Sequence, residues 1–346
     1  MVNQVITRKE IASNLERPLM QYTVNNGNGY AFTCLNYGAT LTSIMMPDRN
    51  GIIDNILLGF NGPTDFLNDQ TYFFGKAIGR VGGRIKGGLF HYKNQEFLLP
   101  RNEGDNTLHG GVNGFHHMWW DVSETEKGLT FTKVINPEMD GFPGKLEVTI
   151  TYRWGENNQF HVEFYAINKS DTPTLFNPTT HIYFNLNNDK LKGLNNHKLS
   201  ISAEQLLELD QQQIPTGEFI NVTNTPFDFR KEQNLSEMLH SLKQIHIPGY
   251  DHPYHVTGPK AARLSNLNNG RIVEIQSDRN GLVFYSLNKT HPHIKVNEGN
   301  HLFPHMAVAL EPQTLPDANH HPDFGDIVLP ANTEKKYEIT YKLSVI

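Results

Sequence analysis

The chain has 346 residues, with 30 lysine and arginine residues against 36 aspartate and glutamate residues, and a formal net charge of −6. This balance excludes a predominantly basic surface, so we expect no nucleic-acid partner. No apolar run reaches the ~18 residues of a membrane helix, and residues 1–20 lack the apolar core of a signal peptide. The single cysteine, Cys34, excludes an internal disulfide. We therefore expect a cytoplasmic protein with no membrane partner.

Alternation of apolar and polar residues dominates the chain and predicts β-strands. Residues 145–154 and 160–166 alternate on either side of a turn at 155–158, which predicts an antiparallel hairpin. The same pattern returns at residues 336–345. Asn-Gly pairs between such runs are typical of tight turns, and they include 50–51, 269–270 and 280–281.

Helical segments are few, and the two that we predict are residues 203–209 and 235–242. We find no repeat of fixed period, and no linker rich in proline, glycine or serine that would separate two domains. Many short strands without a boundary predict an all-β fold, a single large antiparallel β-sandwich that spans residues 1–346 as one domain. In such a fold we expect the ligand on a concave sheet face lined by polar side chains.

Glycines surround two arginines in GRVGGRI, residues 79–85, and follow a histidine in NTLHGG, residues 106–111. Glycine leaves room beside a guanidinium, whose fixed fork of donors suits hydroxyl groups or carboxylates. The alternative is a glycine-rich turn with Arg80 and Arg84 in solvent, and the residues alone do not decide between the two. His109 is equally ambiguous by itself.

A polar stripe is predicted in residues 176–186. Read as a strand, this segment has one face with only hydrogen-bonding side chains, those of Thr179, His181, Tyr183 and Asn185. A stripe without lysine or glutamate is typical of a cleft lining rather than of a solvated face. We count Asn185 as a candidate substrate-binding residue, while a purely structural role for His181 stays an equal alternative.

One carboxylate stands out in residues 305–313, where the strand pattern places Ala307 and Ala309 on the same face as Glu311. These small neighbours leave room for a ligand. An apolar environment also raises the pKa of a carboxyl group toward neutrality, as a general base requires. Because an unpaired glutamate in an apolar strand is costly, we interpret Glu311 as functional.

The 17 histidines raise the question of a metal site, since histidine is the commonest metal ligand. His252 and His255 are three residues apart, but Pro253 between them disfavours a helix that would present both on one face. The sequence has no HExxH motif, no cysteine pair and no phosphate-binding glycine loop. We therefore expect neither a metal nor a cofactor.

Six motifs in this order resemble the aldose 1-epimerase (galactose mutarotase) family over most of the chain. They are GRVGGRI at 79–85, NTLHGG at 106–111, HHMWW at 116–120, THIYFNL at 180–186, DHPYHV at 251–256 and ALEPQTLPDA at 309–318. The resemblance implies a single-domain β-supersandwich that interconverts the α and β anomers of a free hexose such as galactose or glucose. It implies an aldose as small-molecule partner, no cofactor, and a monomer or homodimer.

The resemblance also implies the site residues. Glu311 is the base that removes the proton of the C1 hydroxyl, and His181 is the acid that protonates the ring oxygen, so that the ring opens, rotates about C1–C2 and closes again. This assignment expects an ionised glutamate beside a protonated histidine near neutral pH. His109 supports charge near the ring oxygen, while Arg84 and Asp251 hold the other hydroxyls.

Two departures from the family pattern leave the preferred sugar open. Gly83 stands where many members have asparagine, and Val283 stands where some place a sugar-binding glutamine. Two alternatives also stay open. A hexose-6-phosphate 1-epimerase would need a cationic pocket for the phosphate, and a non-catalytic carbohydrate-binding β-sandwich would have no use for a partly desolvated Glu311.

Overall fold

Antiparallel sheets dominate the regular secondary structure of the computed structural model, which describes residues 4–126 and 128–346. Three large sheets contain five, nine and six strands. The strands of the five-stranded sheet are, in order, Val5–Ala12, Leu19–Asn25, Ala31–Leu35, Leu41–Pro47 and Ile53–Asn55. The prediction of an all-β antiparallel fold is confirmed.

The nine-stranded sheet is the largest and is antiparallel throughout. Its strands are, in spatial order, Asp121–Thr125, Gly128–Ile135, Leu146–Trp154, Gln159–Asn168, Glu334–Val345, Arg271–Ser277, Lys260–Asn266, His197–Ile201 and Gln233–Asn234. The predicted hairpin is present, with Trp154 opposite Phe160 at its turn. The predicted strand near residue 340 is also present and lies in the middle of the sheet.

The six-stranded sheet carries part of the candidate site. Its strands are, in spatial order, Tyr183–Phe184, Val308–Gln313, Gly281–Tyr285, Asp251–Val256, Ala203–Leu209 and Pro215–Asn221. The described residues also form two-stranded ladders: Arg84–Ile85 with Thr107–Leu108, Ala77–Ile78 with Thr179–Thr180, Leu89–Tyr92 with Gln95–Leu98, Thr174–Leu175 with Val328–Leu329, and Lys295–Val296 with Asn300–His301.

Helices are short. In the part of the chain that the structure describes, the α-helices are Pro137–Asp140 and Leu235–Gln244, and the 3-10 turns are Pro63–Asn68, Lys86–Gly88, Phe115–His117, Glu156–Asn158, Lys190–Lys192 and Pro322–Phe324. The helix predicted at 235–242 is confirmed, and the Asn234 side chain caps it by accepting the N–H groups of Ser236 and Glu237. Within the described ranges, no helix is both long enough and apolar enough to cross a membrane.

The helix predicted at residues 203–209 is wrong, because this segment forms the strand Ala203–Leu209. It pairs on both sides, with Pro215–Asn221 and with Asp251–Val256. Leu206 and Leu207 point to opposite faces and are both buried, in different apolar clusters. A strand that is covered on both faces loses the alternation that marks a strand with one wet face.

One apolar cluster joins the three large sheets. The ring centroid of Phe32, from the five-stranded sheet, lies 4.9 Å from that of Phe160 in the nine-stranded sheet. Phe184, from the six-stranded sheet, lies 5.7 Å from Tyr341 in the nine-stranded sheet. Burial of each such phenylalanine side chain stabilises the folded protein by roughly 1.5–3 kcal/mol. This packing buries one face of the six-stranded sheet against the core, so the side chains of the candidate site extend from its other face.

Candidate active site

One face of the six-stranded sheet brings together residues from three strands. Val283 lies opposite Glu311 in the ladder, and Pro253 lies opposite Val283 from the other side. Because residues two apart on a strand share a face, Asp251 lies on the same face as Glu311. The prediction that Glu311 shares a face with Ala307 and Ala309 needs one qualification, since the strand itself spans only Val308–Gln313.

Glu311 is buried, with 2% of its side chain exposed. Its Oε2 atom has no hydrogen-bond partner among the described residues. Burial, together with the nearby charge of Asp251, raises the pKa of Glu311 well above its ordinary value, while the Arg84 guanidinium opposes the shift. Glu311 is thus a desolvated carboxyl group. Its proton affinity is higher than that of a solvated glutamate, which suits a general base.

His181 faces Glu311 across 3.6 Å, measured from Nε2 to Oε1. Its backbone N–H donates to the carbonyl of Lys76 at 2.9 Å, which fixes the chain between two short strands. Burial lowers the pKa of His181 to about 3. Burial thus favours the neutral imidazole in the free site, so a protonated His181 beside an ionised Glu311 is the less favoured of the two proton arrangements.

His109 is held at both its backbone and its ring by Gly83. The His109 N–H donates to the Gly83 carbonyl at 3.0 Å, and Nδ1 of the His109 ring accepts the Gly83 N–H at 3.2 Å. Burial and the neighbouring His181, Arg84 and His116 lower the pKa of His109 well below its ordinary value. The neutral ring with an accepting Nδ1 carries its hydrogen on Nε2, so His109 is a hydrogen-bond donor at that atom.

The backbone conformation and the surroundings of position 83 favour glycine. Its φ of 72° is in the left-handed region, and a Cβ atom there would lie 3.0 Å from Cβ of Pro316. An asparagine would tolerate this φ, but its Cβ atom would press on Pro316.

His109, His181 and Glu311 form a cluster in which one nitrogen or oxygen atom of each lies within 4.8 Å of the others. The rings of His109 and His181 have centroids 5.3 Å apart and are nearly perpendicular. Imidazole and carboxylate groups are common metal ligands, so these side chains are of the types that bind a metal ion. However, His109 presents a hydrogen rather than a lone pair at Nε2, so the cluster suits proton handling better than metal binding.

Arg84 lies beside this cluster and binds a carboxylate that the sequence did not single out. Its Nε donates to Oε2 of Glu103 at 2.5 Å, and its Nη2 donates to Oε1 at 2.9 Å. Burial opposes the charge of Arg84, but the bonds to Glu103 and the charges of Asp251 and Glu311 raise its pKa. Burial raises the pKa of Asp251, and Arg84 opposes that shift. Five site residues predicted from the sequence therefore lie close enough for their charges to interact, and they are Arg84, His109, His181, Asp251 and Glu311.

Residues 20–342 match the sequence model of a family described as aldose 1-epimerase. The chain belongs to the aldose 1-epimerase family. It is 36% identical over 332 residues to an aldose 1-epimerase of Streptococcus thermophilus, covering 92% of this chain and 93% of the relative. It is 35% identical to a maltose epimerase of Levilactobacillus brevis, covering 97% and 98%. A solved aldose epimerase homologue from C. elegans superimposes with a TM-score of 0.85 at 30% identity, covering 94% of this chain and 98% of that one. The protein is therefore an isomerase with mutarotase activity.

In this aldose 1-epimerase the first motif arginine is structural. Arg80 is fully buried and pairs with Asp140 through two hydrogen bonds of 2.6 and 2.9 Å. Its Nη1 donates to the carbonyls of Pro143 and Gly144 and to Thr174. Neither interpretation of the turn, with both arginines in solvent or both beside a ligand, fits Arg80.

Asn185 does not join the cluster, which corrects its prediction as a substrate-binding residue. Its side-chain amide donates to the carbonyls of Lys190 and Met306, and its Oδ1 accepts the N–H of Asn187. The predicted polar stripe does not lie on one strand, because Thr179–Thr180 and Tyr183–Phe184 are separate strands in different sheets. The chain leaves regular strand geometry between them, so alternation no longer tells which way Asn185 points.

Phe73 is a neighbour of the cluster that the sequence did not reveal. Its ring centroid lies 5.0 Å from that of His109, 5.8 Å from that of His181 and 4.9 Å from that of His116. The loop that carries it is held by Asp69, whose carboxylate accepts the N–H groups of residues 71, 72 and 74. Phe73 sits in a loop with a φ of 55°, where no periodic pattern marks an inward side chain.

Proposed function

We propose that this aldose 1-epimerase interconverts the anomers of a free, uncharged hexose such as galactose or glucose, with Glu311 and His181 moving the protons. The observation that carries the proposal is the 3.6 Å approach of two buried, unlike titratable groups beside Arg84 and Asp251. General acid–base catalysis needs such a pair with proton affinities moved by their environment. We further propose that the chain acts as one domain, since a shared apolar cluster joins its three large sheets.

The pair shares one proton. In one arrangement Glu311 holds it and His181 is neutral, and in the other Glu311 is ionised and His181 is protonated. Burial favours the first arrangement, because two charges lose their hydration there. Ring opening starts from the second: Glu311 takes the proton of the C1 hydroxyl while His181 gives its proton to the ring oxygen.

After ring opening, the sugar is an open-chain aldehyde with a hydroxyl at C5, and the pair is uncharged. Rotation about C1–C2 presents the other face of the aldehyde. His181 then takes the proton of the C5 hydroxyl, and Glu311 returns one to the C1 oxygen, which yields the other anomer. Each group gains and loses one proton per turnover, so the site returns to its starting state.

The remaining residues orient the sugar in this proposal. The Nε2–H of His109 donates toward the ring oxygen, while Arg84 and Asp251 hold hydroxyl groups so that the frame of the sugar stays fixed while C1 turns. The named relatives include a maltose epimerase and galactose mutarotases. We accordingly include the reducing end of maltose among the candidate substrates.

The alternative of a hexose-6-phosphate 1-epimerase is disfavoured by the charges at the site. Arg84 is shared among the carboxyl groups of Glu103, Asp251 and Glu311. A phosphate would meet more negative than positive charge there.

The test is polarimetry of freshly dissolved α-galactose. We expect Glu311→Gln and His181→Asn each to lower the catalysed rate by about 10²–10⁴-fold, the usual contribution of a proton-transfer group. Matched controls are Glu237→Gln and His240→Asn, which change the same residue types at exposed positions of the helix Leu235–Gln244 and should keep the wild-type rate. A wild-type rate in Glu311→Gln or in His181→Asn would overturn the assigned roles.

A further inference from the structure

Glu103 occupies two of the donor groups of Arg84. A bidentate carboxylate on Nε and Nη2 fixes the plane of the guanidinium and leaves Nη1 outside that contact. We propose that Glu103 is a positioning and specificity residue, which orients Arg84 for the sugar and restricts the site to uncharged aldoses. This inference rests on the proposed function and names the substrate class more narrowly.

Glu103 is itself held in place. Glu103 and Asn106 exchange backbone hydrogen bonds of 3.2 and 3.0 Å across a tight turn. The Asn106 side chain accepts the N–H of Gly87 at 2.9 Å, which ties the turn to the chain just after Arg84. The same segment continues through Thr107–Leu108 to His109, which Gly83 binds. The Glu103–Arg84 pair therefore closes a ring of contacts between two segments that both carry site residues.

Glu103 is also more exposed than Arg84 and Glu311. Its side chain is 38% exposed, against 19% for Arg84 and 2% for Glu311. Glu103 raises the pKa of Asp251, although less than burial does, so its charge reaches the residue proposed to hold sugar hydroxyls. A sugar that carries a carboxylate or phosphate group is repelled by this charge when that group approaches Arg84. An uncharged sugar meets an acceptor of hydrogen bonds instead.

The experiment compares galactose with galacturonate, which differ only in the group at C6. We expect the wild-type enzyme to have a higher kcat/KM for galactose than for galacturonate. In Glu103→Gln, the ratio of kcat/KM for galacturonate to kcat/KM for galactose should rise by about tenfold, because one nearby unit charge is removed. Glutamine still accepts one hydrogen bond from Arg84, so the loss of kcat/KM for galactose should be smaller in Glu103→Gln than in Glu103→Ala, and the ratio compares two sugars within one variant. Glu103→Ala removes the orienting contact as well and should raise KM for both sugars, with a smaller effect on kcat.

Glu96→Gln is the matched control, since it removes an exposed carboxylate that pairs with His91 outside the site. Its ratio should equal that of wild-type. A second measurement uses wild-type alone: the preference for galactose should shrink as salt rises from about 0.01 M to about 1 M, over which the screening length falls from about 30 to about 3 Å.

An unchanged ratio in Glu103→Gln, or a wild-type preference that does not respond to salt, would overturn this inference while galactose mutarotation persists. Absence of galactose mutarotation in the wild-type enzyme would overturn the proposed function itself, and the role of Glu103 with it.

Discussion

Gly83 binds His109 twice, by accepting its backbone N–H and by donating its own N–H to Nδ1 of the ring at 3.2 Å. The second bond selects one of the two neutral tautomers of the imidazole, because only an unprotonated Nδ1 can accept it. The hydrogen of His109 then lies on Nε2. The backbone N–H of residue 83 thus determines which atom of a neighbouring histidine can donate to a ligand.

This tautomer predicts different outcomes for two substitutions of His109. Glutamine places an amide N–H near the former Nε2, whereas alanine leaves no donor. We expect His109→Ala to lower kcat for galactose by about 10²–10³-fold, as the loss of a donor to developing charge does, and His109→Gln to lose distinctly less. Polarimetry measures both, with His91→Gln as the exposed control. Equal losses in the two variants would contradict a donor role.

Glu311 should reduce the stability of the folded protein above acidic pH. Its pKa is raised in the folded state from a reference value of 4.5, so the folded chain binds more protons than the unfolded chain as pH rises past that value. We expect Glu311→Gln to match wild-type in unfolding free energy near pH 4 and to exceed it by about 1–2 kcal/mol near pH 8. Urea unfolding at the two pH values measures this difference. A difference that does not grow with pH would be inconsistent with a desolvated carboxylate.

Buried histidines should make the protein labile to acid. His197 donates from Nδ1 to the Asn195 carbonyl and accepts the Leu186 N–H at Nε2, and burial lowers its pKa to about 4. Between the reference value of 6.5 and about 4, the unfolded chain binds the extra proton, so stability falls as pH decreases through this window.

His197→Gln should be less stable than wild-type at pH 7. Its Tm should also depend less on pH, because each such histidine changes the free energy of unfolding by up to about 1.4 kcal/mol per pH unit. His252 has a similarly lowered pKa of about 4 and should act in the same direction. Thermal scans from pH 7 to pH 4.5 measure the slopes. An identical slope in wild-type and variant would exclude His197 as a source of the acid lability.

The buried pair of Arg80 and Asp140 should support the fold rather than the chemistry. Arg80→Met leaves the Asp140 carboxylate buried without a cation, and we expect a loss of about 3–5 kcal/mol in unfolding free energy. Arg80→Met combined with Asp140→Leu should recover much of that loss, because both charges are gone. Urea denaturation of the single and double variants completes the cycle. A double variant as unstable as the single one would show that the carboxylate is not the cause.

Strands with one wet face could be predicted from the sequence, and strands covered on both faces could not. Leu146–Trp154 alternates because the side chains on one face contact the core and those on the other contact solvent. Ala203–Leu209 carries two adjacent buried leucines and good helix formers, so local propensity pointed to a helix while pairing with two neighbours decided the structure.

Glu311 could be predicted to lie in an apolar environment because its small neighbours are adjacent in sequence. The approach of His109, His181 and Asp251 to it depends on contacts between distant segments, which the family resemblance supplied and periodicity does not encode. Glu103 escaped notice because a glutamate in a turn is typical of a solvated surface. Only the structure shows its carboxylate on Arg84.

The position of Glu334–Val345 in the middle of the nine-stranded sheet has a consequence for synthesis. This strand follows all of its sheet neighbours in the sequence, yet it pairs on one side with Gln159–Asn168 and on the other with Arg271–Ser277. Both of these strands are therefore synthesised before the strand that pairs with them, and until then each has an unpaired edge. Unpaired edges invite pairing with other chains, so the nascent protein passes through a stage in which the largest sheet is split and open to aggregation.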